Sequence, residues 1–270
     1  METNLMERSV AAVLREAIDA ADGELYVVNP STDTVEELLD EMTESSGPTV
    51  RVLAAERVLK DLSRDFKQAS AAADLREAGR LELRAFGATD NTLLVTEEAV
   101  VAVVAAGGRA AGLVTDDASF IQGAYEEYAA AFDDAEEFSL RTPGRTRVRE
   151  TLAESMGEET ADDFDGVLAS METARGNGDG LDEVTVSLLV AAKNEELLYD
   201  ISKWGEDVGI ASKATFSRTK SELEEKGLIT TEKVPIDVGR PRLRLKLGDD
   251  RLADASSAEL ASVAQSVLAK

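Results

Sequence analysis

The sequence predicts an α/β protein in two parts: an N-terminal α/β domain with a mixed sheet and a C-terminal domain of three helices and a hairpin. Three observations predict it. Over the first 140 residues, short apolar runs alternate with segments of helical spacing. Residues 176–180 read Gly-Asn-Gly-Asp-Gly, a glycine-rich hinge. Beyond it, apolar spacing is helical three times and then alternates with a period of two. The expected division is 1–140, a basic and helical linker over 141–180, and 181–270.

Each element has its own reason. Leu5, Val10, Val13, Leu14, Ala17 and Ile18 share a face, which predicts a helix over 4–21, stopped by Gly23. Leu25 to Val28 is a buried-type strand. Ser31 or Thr32 can cap a helix carrying Val35, Leu38, Leu39 and Met42, broken by Gly47-Pro48. Val50 to Leu53 reads as a second strand, followed by one helical stretch over about 56–78. Four strand-like runs follow, 81–86, 92–95, 99–104 and 111–114, and then a helix over 117–134. Asp116 and Asp117 read as a cap for that helix. Arg141 to Arg149 is a dense basic run, suited either to DNA flanks or to ion pairs with acidic surface. Helical pieces are expected near 147–156 and 161–174.

Past the hinge, Val184, Leu188, Leu189 and Ala192 mark one helix and Leu197, Leu198, Ile201 and Trp204 a second. Gly209-Ile210 turns the chain, and a third helix runs from Ser212 to about Lys226, ended by Gly227. Ile229 to Val234 and Pro241 to Leu247 form a hairpin with its tip at 237–240. Alternation on the return strand directs Leu243, Leu245 and Leu247 inward and Arg242, Arg244 and Lys246 outward. A last helix, Ser256 to Leu268, carries Leu260, Val263, Ala264, Val267 and Leu268 on one face. That stripe suits either a symmetry mate or its own domain.

Composition removes several chemistries. The 270 residues contain no cysteine and no histidine, so thiolate or imidazole metal sites and His-based catalysis are excluded. No metal site or cofactor is expected. Acidic residues outnumber basic ones 54 to 29, a net charge of −25, and the acids are dispersed rather than gathered in a tail. Lysine is sparse beside arginine. This is the pattern of a protein adapted to molar salt, where the Debye length falls to ~3 Å and self-repulsion is screened. No signal-peptide pattern opens the chain, and no apolar run reaches the ~18 residues of a membrane span, so a cytoplasmic protein is expected.

Against that acidic background, residues 211–247 carry nine basic residues and five acidic ones, a local excess of positive charge that points to a polyanion. On the third helix Phe216 and Leu223 mark the anchoring face. Ala214, Ser217, Arg218 and Ser221 lie opposite, with Lys213 and Lys220 on the flanks. The stretch Ser-Lys-Ala-Thr-Phe-Ser-Arg at 212–218, with Leu-Glu-Glu-Lys-Gly-Leu-Ile at 223–229, resembles the recognition helix and first wing strand of winged helix-turn-helix regulators. The resemblance implies double-stranded DNA as partner and a DNA-contacting set of Lys213, Ala214, Thr215, Ser217, Arg218, Lys220, Ser221, Arg240, Arg242 and Arg244. A lone winged helix reads a short site, so a homodimer on a palindrome is expected.

The N-terminal order of LYVVNPST, VRVLAAE, LELRAF, NTLLVT, AVVAVV and AGLVTDD resembles one half of a phospholipase-D-like fold, the sensor of TrmB-type archaeal regulators. Where active phospholipases need His, Lys and Asp, this chain has Thr89, Asn91 and Thr96, so the resemblance implies a degenerate, non-enzymatic domain. A phosphodiesterase-like enzyme and a winged-helix protein–protein adaptor are the alternatives. Over its whole length the chain is similar to the haloarchaeal TbsP-type, TrmB-associated regulators. That similarity implies regulation of carbon metabolism by a small metabolite such as a sugar or sugar phosphate. Asn29, Ser31, Thr32, Thr89 and Asn91 are the candidate effector residues, since amides at a strand-to-helix junction can hold phosphate or hydroxyl groups; a plain helix cap is the other reading of Asn29 to Thr32.

Overall fold

The computed structural model describes residues 4–87, 91–175, 181–236 and 241–268. The chain divides into two compact units, Met1–Arg64 with Ala71–Leu140, and Asp65–Ser70 with Arg141–Lys270.

The first unit contains β1 (Leu5–Glu7), α1 (Val10–Ala20), β2 (Glu24–Val28), α2 (Thr32–Glu44), β3 (Thr49–Ala54), α3 (Glu56–Ser63), most of α4 (Phe66–Glu77), β4 (Leu81–Ala85), β5 (Thr92–Val95), β6 (Val100–Ala106), β7 (Arg109–Thr115), α5 (Ala118–Asp134) and β8 (Glu136–Glu137). The strands form one mixed sheet in the order β1-β7-β6-β5-β2-β3-β4-β8, with β2, β3 and β4 parallel and the other pairings antiparallel. One face is sealed by the apolar stripes of α1, α2 and α3 on Leu25, Val27, Val50, Val52 and Leu83. The other carries α5, which covers Tyr26, Val28, Leu53, Val95 and Val100 through Ile121 and Phe132.

Two differences from the sequence expectation change which elements form. The first helix starts at Val10 because Ser9 caps it, accepting from the Ala12 amide at 3.3 Å, and Leu5–Glu7 pairs instead with β7. The stretch over 56–78 is two helices. Asp65 breaks it by accepting from the Lys67 amide at 3.0 Å and so starting a new helix.

The second unit contains α6 (Arg145–Met156), α7 (Glu158–Ser170), α8 (Glu183–Lys193), α9 (Leu198–Val208), α10 (Lys213–Glu225), β9 (Ile229–Val234), β10 (Arg242–Leu247), α11 (Asp250–Ala253) and α12 (Ser257–Leu268). The helix α8 is apolar nearly all round and is wrapped by the others, so it is buried along its length. The sequence reading treats 141–180 as a linker. In the structure Val148, Leu152, Phe164, Val167 and Leu168 of that stretch join one core with Trp204, Phe216 and Leu245. Polar residues on the outer sides of these two short helices mask how much apolar surface they bury. Leu260 and Ala264 of α12 are buried in the same core, with Val263, Val267 and Leu268 packed against it, so the stripe on the last helix serves its own domain.

Asp65 is fully buried in this unit, where it accepts from the Ala174 amide and from Arg175 Nε, both at 3.1 Å. The hinge at 176–180 lies outside the described residues. No helix among those described is long and apolar enough to cross a membrane.

Candidate nucleic-acid interface

The helix-turn-helix is α9, a four-residue turn and α10. Gly209 makes the turn, holding φ +95° where a side chain would be strained. Gly205 lets the helices close: a Cβ there would lie 2.4 Å from the Phe216 ring. Ser212 caps α10, accepting from the Thr215 amide at 3.2 Å, and its hydroxyl meets that of Thr215 at 3.0 Å. Glu206 of α9 reaches the same end, 2.8 Å from Lys213 Nζ. The hydrogen bond with Lys213 lowers the carboxyl pKa and raises that of the ammonium.

With Phe216 and Leu223 buried, Ala214, Ser217, Arg218 and Ser221 form an exposed stripe at helical spacing, joined by Lys213 at its start. Arg218 has no hydrogen bond or ion pair among the described residues. Lys220 is placed otherwise: its side chain is 12% exposed and its Nζ lies 2.7 Å from Glu224. Glu224 also accepts from Thr231 at 2.7 Å, and although burial opposes it, these bonds hold the carboxyl below its usual pKa. Lys220 therefore ties α10 to the wing base and lies off the exposed stripe.

The wing strands pair in register from Ile229↔Leu247 to Val234↔Arg242. Leu245 is fully buried, as alternation predicts. Two of the three outward basic side chains are engaged inside the domain. Arg242 stacks 4.0 Å from the Tyr199 ring centre and donates to Asp200 at 3.3 Å. Lys246 lies 2.8 Å from Glu232. Arg244, bridged to Leu197 across the strand, has a buried Nε without a partner. Alternation gave their direction but not the 195–200 segment that covers them. The acids at 195, 196 and 200 are the signal for it. Arg240 lies outside the described residues.

In the first unit, a cavity of about 420 Å³ opens where β2 and β3 end and α2 and α3 begin. Asn29, Ser31 and Thr32 line it, as do Arg57, Asp61 and Thr92, which sequence reasoning missed. Asn29 holds φ +50°; its amide donates to Leu53 O at 2.8 Å, and its carbonyl accepts from Thr92 at 2.9 Å. Ser31 caps α2 through the Thr34 amide at 3.1 Å, and Ala55 before α3 supplies no side-chain cap. Asn91 is not among the lining residues, and Thr89 lies outside the described ones.

The remaining candidates have structural partners. Thr96 is buried and accepts from the Glu98 and Ala99 amides at 3.2 and 3.1 Å, fixing the turn between β5 and β6. Asp117 caps α5 through Ser119 and Phe120, whose hydrogen bonds lower its pKa. In the basic run, Arg145 pairs with Asp165 at 3.2 Å and Arg149 with Asp162 at 2.7 Å, so these charges join α6 to α7 within one unit.

A family model for the N-terminal domain of TbsP-like transcriptional regulators matches residues 2–143, and one for their C-terminal helix-turn-helix domain matches 144–265. Comparison with curated proteins finds no match. Among solved structures the chain is similar to TrmBL2, described as an archaeal chromatin protein with a novel mode of DNA binding, at 18% identity and a TM-score of 0.38. The match covers 50% of this chain and 53% of that one, so it spans about half of TrmBL2. It is also similar to Nuc, a phospholipase D family member from Salmonella typhimurium, at 10% identity and TM-score 0.35, over 50% of this chain and 97% of that one.

Proposed function

The chain belongs to the TbsP-like transcriptional regulators, non-enzymatic proteins with a helix-turn-helix DNA-binding domain, and from that premise we propose how it reads and regulates DNA. It binds a palindromic operator as a homodimer, with α10 entering the major groove N-terminus first. Arg218 reads a base, since a guanidinium can bridge guanine O6 and N7. Lys213, Ala214, Thr215, Ser217 and Ser221 approach or hold the phosphate backbone, and the wing residues Arg240, Arg242 and Arg244 flank it. The single observation that carries this reading is the exposed stripe of α10 with an unpaired guanidinium at its centre.

The protein acts in the cytoplasm of a halophilic archaeon, which its net charge of −25 supports. Arg218→Ala is expected to cost ~1–3 kcal/mol on the operator and to relax preference at one base position. Titration of this variant against operator and scrambled DNA checks it, with Arg242→Ala, expected to weaken both DNAs alike, as control. An unchanged Arg218→Ala refutes the reading helix.

The cavity at Asn29, Ser31 and Thr32 takes a small sugar or sugar phosphate that tunes DNA binding to carbon supply. Its hydroxyls and the Asp61 carboxylate suit sugar hydroxyls, and the Arg57 guanidinium and two helix starts suit a phosphate held away from Asp61. Calorimetric titration with a hexose phosphate should give binding that Arg57→Ala weakens at least tenfold. No heat with the unaltered protein rejects the site for that ligand class.

A further inference from the structure

The sheet of the first unit is covered on one side only in part. The strand register puts Met6, Ala111 and Val104 in one row on the α5 side, and Leu113, Ala102 and Leu93 in the next. The helix α5 lies over the β2, β3 and β5 part of this face and over Val100 at the start of β6, and leaves β1, β7 and the rest of β6 open. Met6 is 62% exposed, Leu113 48% and Val104 46%. None of the residues that these three strands present on this face is a carboxylate, in a chain with 54 acids. Contiguous exposed apolar surface of this kind marks an interaction site.

The ends of the open face carry opposite charge. At the β6–β7 turn stand Arg8 and Arg109, exposed and without a partner among the described residues, while Glu37 lines the same hollow from the helix side. At the other end Glu97, Glu98 and Asp116 line a second hollow.

We infer that this face receives a second copy of the chain, face to face, about a two-fold axis lying between the sheets and perpendicular to the strands. The inference rests on the homodimeric reading above and assigns its surface. That axis reverses the strands, so Arg8 and Arg109 of one copy lie over Glu97, Glu98 and Asp116 of the other, twice by symmetry. Two chains of net charge −25 repel elsewhere on their surfaces, and here the approach is apolar in the middle and complementary at both ends. The other apolar stripe suited to self-association, on α12, is spent on its own core.

The test is the mass of the full chain by light scattering in molar potassium chloride, with circular dichroism to confirm folding. The unaltered chain should be a dimer. Leu113→Asp, and independently Met6→Asp, should raise the dimer dissociation constant at least tenfold with helix content unchanged. Arg109→Glu should weaken the dimer, and adding Glu97→Arg with Glu98→Arg should restore it. A dimer untouched by both aspartate substitutions overturns the surface while leaving the homodimer standing. Weakening by Arg109→Glu without restoration overturns the reversed-strand arrangement. A monomeric unaltered chain overturns the homodimer itself, and this surface with it.

Discussion

Single side chains in this protein are defined by what holds them, and Asp163 shows the energetic consequence. It sits on α7 with its side chain 11% exposed, between α8 and α12. Lys193 Nζ donates to it at 2.8 Å, Asn194 Nδ2 at 2.8 Å, and the Ser257 hydroxyl also donates. Burial alone would raise its pKa, but the hydrogen bonds from Lys193, Ser257 and Asn194 outweigh it and hold the carboxyl below its ordinary value of 3.8. A group depressed in the folded state stabilises above its unfolded pKa and loses that stabilisation as pH falls through the folded value. The contribution is therefore complete at pH 5 and above and disappears in the acid limb below about pH 4. Asp163→Asn keeps the shape but loses the charge. It should lower stability at pH 7 by about 1–3 kcal/mol and flatten the acid limb. Denaturant unfolding at pH 7 and in steps below pH 5 measures both. An equal deficit at every pH would show that Asp163 does not carry the titration.

At the scale of elements, the exposed stripe of α10 was legible because a 3.6-residue period fixes which side chains are opposite Phe216 and Leu223. The same period failed for Lys220, which it placed on a flank of the DNA face. A long side chain can turn along the helix to a carboxylate four residues on, and Glu224 captures it. Alternation gave the direction of Arg242 and Lys246 but could not show the acids of α9 and its approach that meet them, because strand period carries no information about distant segments. Helical spacing does not single out Gly205, and only the crossing of α9 and α10 reveals that the Phe216 ring occupies the space of its missing side chain. In the first unit, Asn29, Ser31 and Thr32 were found because a strand that ends in Asn-Pro-Ser-Thr announces a turn and a cap. Arg57 and Thr92 enter the same cavity from β3–α3 and β5. They were invisible until the parallel pairing of β2 with β3 and the antiparallel pairing of β2 with β5 brought those ends together.

For the molecule as a whole, charge sets the working conditions. The acids and bases of this chain do not cancel, and many of the basic residues are already committed to local ion pairs such as Arg15–Glu41 and Arg51–Glu24. The uncompensated carboxylates repel one another across each unit, and folding concentrates them on its surface. At 0.1 M salt the Debye length is ~10 Å, so most neighbouring acids on the surface still interact; at 1 M it is ~3 Å, and only contacting pairs do. Salt weakens exposed ion pairs as well, but those are worth little each, typically below about 1 kcal/mol, whereas the net repulsion of −25 acts over the entire surface. Salting-out ions also strengthen the burial of apolar cores. Screened repulsion and strengthened apolar burial outweigh the weakened ion pairs, so the melting temperature should rise between 0.1 M and 3 M potassium chloride, and glycerol of equal osmolarity should fail to reproduce the gain. DNA binding runs the opposite way, since salt removes the counterion-release share of the affinity. Under the halophilic reading proposed above, binding at molar salt draws on the direct contacts proposed for α10, and the Arg218→Ala deficit should be as large at 2 M as at 0.5 M potassium chloride. Calorimetric melting across the salt series checks stability, and operator titration at the two salts checks binding. A flat or falling melting curve would show that repulsion between the carboxylates is not what limits this fold.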